Sequence, residues 1–169
     1  MGLLSWLNEV LNPKMIELDH PYFGRLEFIT GKNVHNEIYG FWAGELVTPF
    51  SERPLGIFIH AGSDGPNDDH RTRYEALIEK FSDLQAGILP ILFQEWKTII
   101  REYGDDIDKI ERFDTPESMA NLFNLADISI EKDAGFELGY LFSDEEMNLP
   151  ESYIAVDMKW EVTYSGGAD

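Results

Sequence analysis

No cysteine occurs in the 169 residues, so disulfides, thiolate metal sites and thiol nucleophiles are excluded together. Nothing marks an oxidising compartment, and a reducing cytoplasm is the expected setting. Basic residues are scarce too: 13 Lys and Arg stand against 32 Asp and Glu, a formal net charge of −19. A chain of that sign repels nucleic acid and anionic lipid, so neither is expected as a partner. Long apolar runs are missing as well. The stretch from Leu3 to Leu11 is about ten residues, too short to span a bilayer, and it lacks the basic region and small-residue cleavage site of a signal peptide. Leu3, Leu7, Val10 and Leu11 recur at helical spacing ahead of Asn12-Pro13. They predict a short amphipathic helix over residues 1–13, packed on its own domain.

The acid that is present is unevenly spread. Residues 1–66 hold 8 acids and 4 bases, residues 67–113 hold 11 and 7, and residues 114–169 hold 13 and 2, for net charges of −4, −4 and −11. A hydrophobic content of 43% with 13% aromatics is enough for one buried core, and a single domain is expected over residues 1–169, with its body at 16–164.

Period-two patterning places strands at residues 23–30, 37–48 and 55–61. Leu26 and Phe28 alternate with Arg25 and Glu27, and Leu55, Ile57 and Ile59 alternate with Phe58 and His60. Tyr74, Leu77, Ile78 and Phe81 then mark one helix. Leu89, Leu92, Phe93, Trp96, Ile99, Ile100 and Tyr103 mark a second, which Pro90 starts or kinks and Gly104 ends. Asp114-Thr115-Pro116-Glu117 resembles a capped start for a short third helix. Strands return at 126–132, 136–142 and 154–164; in the last, Ile154, Val156, Met158, Trp160, Val162 and Tyr164 alternate with polar residues and predict one long strand, its apolar face against the helices. The order βββ-αα(α)-βββ is that of an α+β fold, an antiparallel sheet of about six strands with helices on one face.

Motifs for chemistry are weak. His20, His35, His60 and His70 are never four residues apart, as a zinc-binding helix would need, and Ser63 lacks the G-x-S-x-G frame of an esterase nucleophile. The richest segment runs from His60 to His70 and contains Asp64, Asn67, Asp68 and Asp69. It reads as a Gly-Pro turn feeding an Asn or Asp helix cap. The alternatives are a weak divalent-cation site with Asp64, Asn67, Asp68 and Asp69 as oxygen ligands, and a metal-assisted or acid/base hydrolase centred on His60, Asp64 and His70. No catalytic residue, metal ligand or cofactor is assigned from this pattern. The candidate binding surface is acidic: Glu137, Asp144, Glu145, Glu146, Asp157 and Glu161, with Asp157 and Glu161 on the polar face of the last strand.

His20-Pro21-Tyr22-Phe23-Gly24, Phe41-Trp42-Ala43-Gly44 and Ile59-His60-Ala61-Gly62-Ser63-Asp64-Gly65-Pro66 resemble segments of bacterial domains of unknown function that open with HPxFG and carry a W-x-G strand. In size, acidity and architecture the chain is also similar to small immunity proteins encoded beside polymorphic bacterial toxins, which bind and block a cognate toxin. The similarity implies a non-enzymatic protein that neutralises a cationic toxin. A hydrolase and an acidic housekeeping domain are the other readings. The net charge favours a self-repelling monomer, with a dimer through a sheet edge or the N-terminal helix left open.

Overall fold

The structure, a computed structural model, describes residues 16–32, 38–103, 114–132, 135–142 and 151–167. Four strands come first: β1 (Ile16–His20), β2 (Gly24–Lys32), β3 (Ile38–Leu46) and β4 (Leu55–Ile59). A helix of 36 residues follows, α1 (Asp68–Tyr103), then a short α2 (Pro116–Met119) that runs into a 3-10 turn (Ala120–Leu122). Four more strands complete the described chain: β5 (Phe123–Ile130), β6 (Phe136–Phe142), β7 (Ser152–Val156) and β8 (Val162–Gly167).

All eight strands form one sheet in sequence order. Every neighbouring pair is antiparallel except β4 with β5, which is parallel. Antiparallel neighbours are joined by short turns, whereas a parallel pair needs a crossover; the helical segment between β4 and β5 supplies it. The architecture is therefore α+β with helices on one face, as the residue pattern predicts.

Among the described residues the sheet has eight strands rather than six, for two local reasons. The HPxFG segment is a hairpin turn. His20 Nδ1 accepts from the backbone N–H of Tyr22 and of Phe23, at 3.2 and 3.1 Å, and Gly24 takes φ +74°, so five residues before it pair with β2 as an edge strand. The predicted strand 154–164 is a hairpin. Asp157 Oδ1 accepts from the N–H of Lys159 and of Glu161, the Trp160 N–H donates to the Asp157 carbonyl, and Trp160 itself takes φ +67°. A short polar side chain that captures backbone donors two and four residues on closes a turn, and here it overrides an unbroken alternation. Val156 is buried as expected, but Met158 is exposed and Trp160 stacks on Phe136 from the turn, 5.7 Å between ring centroids.

The helical expectation also changes. One helix passes through Gly87 and Pro90 where two were predicted. Pro90 removes a hydrogen bond to the Ala86 carbonyl. Ala86, Gly87 and Pro90 are all exposed, so the unbonded carbonyl lies on the solvent side of the helix, where the loss costs least, and the helix continues. Tyr74, Leu77, Phe81, Leu84, Ile88, Leu92 and Trp96 form one buried stripe at three- and four-residue steps. They pack on Leu26, Trp42, Ile57 and Ile59 from the first half of the sheet and Ile128, Ile130, Leu138, Tyr140, Ile154 and Val156 from the second. The short third helix is capped by Thr115, whose hydroxyl accepts from the Ser118 N–H, with Pro116 in the first turn. The predicted N-terminal helix and the acids Asp144, Glu145 and Glu146 lie outside the described residues. No described helix is long and apolar enough to cross a membrane.

Candidate functional site

The helices cover one face of the sheet, and no described element packs on the other. Side chains alternate across a strand, so the register fixes which residues stand on the open face. One row across the sheet is Glu17, Glu27, Ala43, Phe58, Ser129, Glu137 and Ala155. A second is Asp19, Arg25, Glu45, Gly56, Asp127, Gly139 and Tyr153. Beside the first row, Ile29 pairs with Phe41, whose ring lies 5.7 Å from that of His60 and 5.8 Å from Phe58. His60 Nε2 stands 3.5 Å from Glu131 Oε1, and the same oxygen accepts from the Ser129 hydroxyl at 2.6 Å.

The open face thus carries an aromatic and apolar patch, Ile29, Phe41 and Phe58, bordered by rows that hold many carboxylates. The acids Glu17, Asp19, Glu27, Glu45, Asp127, Glu131 and Glu137 stand against Arg25 and His60. Arg25 is itself bound by both oxygens of Glu17 at 2.9 Å.

Where β5 meets β6 stands a second group of acids. Asp127 lies between two glycines: a Cβ on Gly56 would stand 3.0 Å from the Asp127 Cβ, and one on Gly139 would stand 2.5 Å from Asp127 Oδ2. The carboxyl therefore reaches across β6 and hydrogen-bonds Glu151, whose other bond comes from the Tyr153 hydroxyl at 2.7 Å. Burial, and then the Glu151 contact, push Asp127 up to about 7. Burial, and then Glu131, push Glu137 above the usual carboxylate range. Because the folded pKa of Asp127 lies above the unfolded value, its contribution to stability is full below about pH 4 and is lost as pH rises through about 7. Asp127→Asn is accordingly expected to match the parent at pH 4 and to exceed it at pH 8. The gain should be about 1 kcal/mol, discounted because water still reaches this carboxyl, or a rise of about 2–4 °C in Tm. Equal melting temperatures at pH 8 would show that the carboxyl ionises freely.

The acids singled out from the sequence are not all part of this surface. Glu137 is, in the middle of β6. Asp157 is spent on the β7–β8 turn, where its carboxylate holds two backbone donors, and Glu161 is exposed beside it in the same turn. Asp127, Glu131 and Glu151 were missed, because single acids flanked by glycine or strand residues carry no local signal and meet only through sheet register. Trp42 faces the helices and donates to the Gly62 carbonyl at 2.8 Å, whereas Phe41 faces the open side.

The loop from His60 to His70 is a turn followed by a helix cap. Asn67 Oδ1 accepts from the N–H of Asp69 and of His70 and caps α1, and Gly65 closes the preceding turn with φ +97°. His70 is buried against Asn67 and the His60 carbonyl, and burial lowers its pKa. The His60 ring is on the open face with Phe41 and Glu131, so the two imidazoles serve different environments. Asp64, Asp68 and Asp69 are exposed. No three His, Asp or Glu among the described residues are placed to hold a metal ion. Elsewhere, a cavity of about 250 Å³ lies between α1 and the sheet, lined by Ser82, Gln85, Ile88, Leu92, Phe123 and Tyr140, and it contains no acid or base beyond the tyrosine. No family model, curated protein or solved structure matches this chain.

Proposed function

We propose that this protein is a non-enzymatic acidic binding protein of the immunity type, which neutralises a basic bacterial toxin by docking it on the open face of the sheet. The observation that carries this reading is the composition of that face: an apolar patch of Phe41, Phe58 and Ile29 bordered by two rows of carboxylates, with Arg25 as the only Lys or Arg among the described residues of those rows. Charge beside such a patch steers a cationic partner and sets its approach, while the aromatic patch supplies contact area. The hydrolase alternative has no comparable support, since His60 and His70 do not converge.

The test uses the cognate partner, taken as the product of the neighbouring gene and purified. Glu27→Lys combined with Glu45→Lys is expected to slow association about tenfold at low salt. The difference should shrink above about 0.15 M, where the Debye length falls below about 8 Å. Phe58→Ala is expected to act on dissociation instead. A cognate complex indifferent to salt, to both reversals and to Phe58→Ala would overturn the proposal.

A further inference from the structure

We propose that Asp127 and Glu151 form a proton-sharing carboxyl pair that couples docking on the open face to pH, so that the complex loosens as the solution acidifies. The inference rests on the docking reading above and adds its regulation.

The geometry begins with two absent side chains. Gly139 stands directly opposite Asp127 in the β5–β6 register, and any Cβ there would sit 2.5 Å from Asp127 Oδ2. Gly56, opposite on the β4 side, approaches the Asp127 Cβ in the same way. With both neighbours bare, the carboxyl lies flat over β6 and reaches Glu151, at the entrance to β7. Two carboxyl groups in hydrogen-bond contact cannot both ionise without strong repulsion, so one proton stays between them. The Tyr153 hydroxyl donates to Glu151 and leaves the remaining proton to the Asp127 contact.

The groups that face the pair add to the effect. From β6 comes Glu137, from β7 Tyr153, and neither is a cation. On the β4 side stands Gly56, and beyond it Glu45 of β3. Along β5 itself are Ser129 and then Glu131, which His60 approaches. The one Lys or Arg among the described residues of these rows, Arg25, stands three strands away on β2 and is held by both oxygens of Glu17, so no described cation beside the pair drives off the shared proton. Consistently, Asp127 is pushed up to about 7, by burial first and Glu151 second. A cationic partner brought to this face would supply the missing charge, expel the proton and bind the dianionic pair. Affinity then rises with pH through the neutral range, and complex formation releases up to one proton below about pH 7 and progressively less above it.

The experiment uses the full chain and deca-arginine as the cationic probe, whose charge is constant over the range. His60→Gln is introduced into every protein compared, so that no imidazole stands beside Glu131 on the same face. Binding is measured by calorimetry at pH 6 and pH 8 in two buffers of different ionisation enthalpy, and carboxyl ¹³C shifts of the free protein are titrated. The expected result is affinity about fivefold higher at pH 8 than at pH 6, with proton release, and a carboxyl resonance titrating near neutrality. Asp127→Asn should remove both the pH dependence and the release while leaving the melting temperature at or above that of the parent. Binding equal at the two pH values would overturn the coupling and leave the docking reading standing. Failure of deca-arginine to bind at either pH would overturn both, whatever the carboxyl titration shows.

Discussion

Trp42→Ala is expected to cost about 3–5 kcal/mol, while Trp160→Ala costs less than about 2. Trp42 is 1% exposed at the junction of β2, β3 and the loop ahead of α1. Its indole packs on Phe28, 5.0 Å between ring centroids, and its N–H donates to the Gly62 carbonyl. Truncation leaves a cavity that the surrounding strands cannot close, because they are held by ladders on both sides. Trp160 sits half-buried in a turn and offers one stacked face to Phe136. Urea unfolding of the two variants measures the contrast directly. If Trp160→Ala proves the more damaging, residues 154–164 form the continuous strand that their alternation suggests and the hairpin is wrong.

Gly44→Ala is the second large effect. A Cβ at Gly44 would stand 2.6 Å from the Arg25 carbonyl oxygen and 2.8 Å from Leu26 Cδ2. The first of these is backbone within the β2–β3 ladder, so relief requires strand separation rather than a rotamer change. A loss of about 1–3 kcal/mol follows, and Gly44→Val should exceed it. Gly87 provides the opposite sign. It lies within α1, a Cβ there meets nothing within 4 Å, and Gly87→Ala is expected to add about 0.5–1 kcal/mol through helix propensity. Thermal melts of the two alanine variants should therefore move in opposite directions; a stable Gly44→Ala would remove the packing explanation of the W-x-G segment.

Both motifs that carry the resemblance to uncharacterised bacterial domains have packing reasons in this chain. His20 binds two backbone N–H groups and Gly24 turns the β1–β2 hairpin. Trp42 fills the core and Gly44 admits the Arg25 carbonyl. They are residues of a scaffold, and the chemistry of the open face lies beside them.

What was legible in the sequence was the part governed by local period. The alternation in Leu55, Ile57 and Ile59 and in Phe136, Leu138 and Tyr140 sorted residues between two faces correctly, since strand sidedness needs only the sign of each successive side chain. The apolar stripe of α1 was equally visible, although not its continuity through Pro90, which depends on that residue's facing water. The hairpin at Asp157 was hidden because its six-residue alternation satisfies both readings, and only the carboxylate's capture of the Lys159 and Glu161 N–H groups separates them.

The sequence by itself determined the α+β class, the helix-covered face of the sheet, the Asn67-type cap ahead of α1 and the strong negative charge. Tertiary structure alone decided that β4 and β5 pair in parallel beneath the crossover, and with that pairing which acids become neighbours. Glu27 and Glu137, or Asp127 and Glu151, are separated by many residues or by a whole strand, and no local pattern carries their distance. Hydrogen-bond register across the sheet brings them onto one surface, and the two bare glycines at 56 and 139 let a carboxyl cross between strands to a second one.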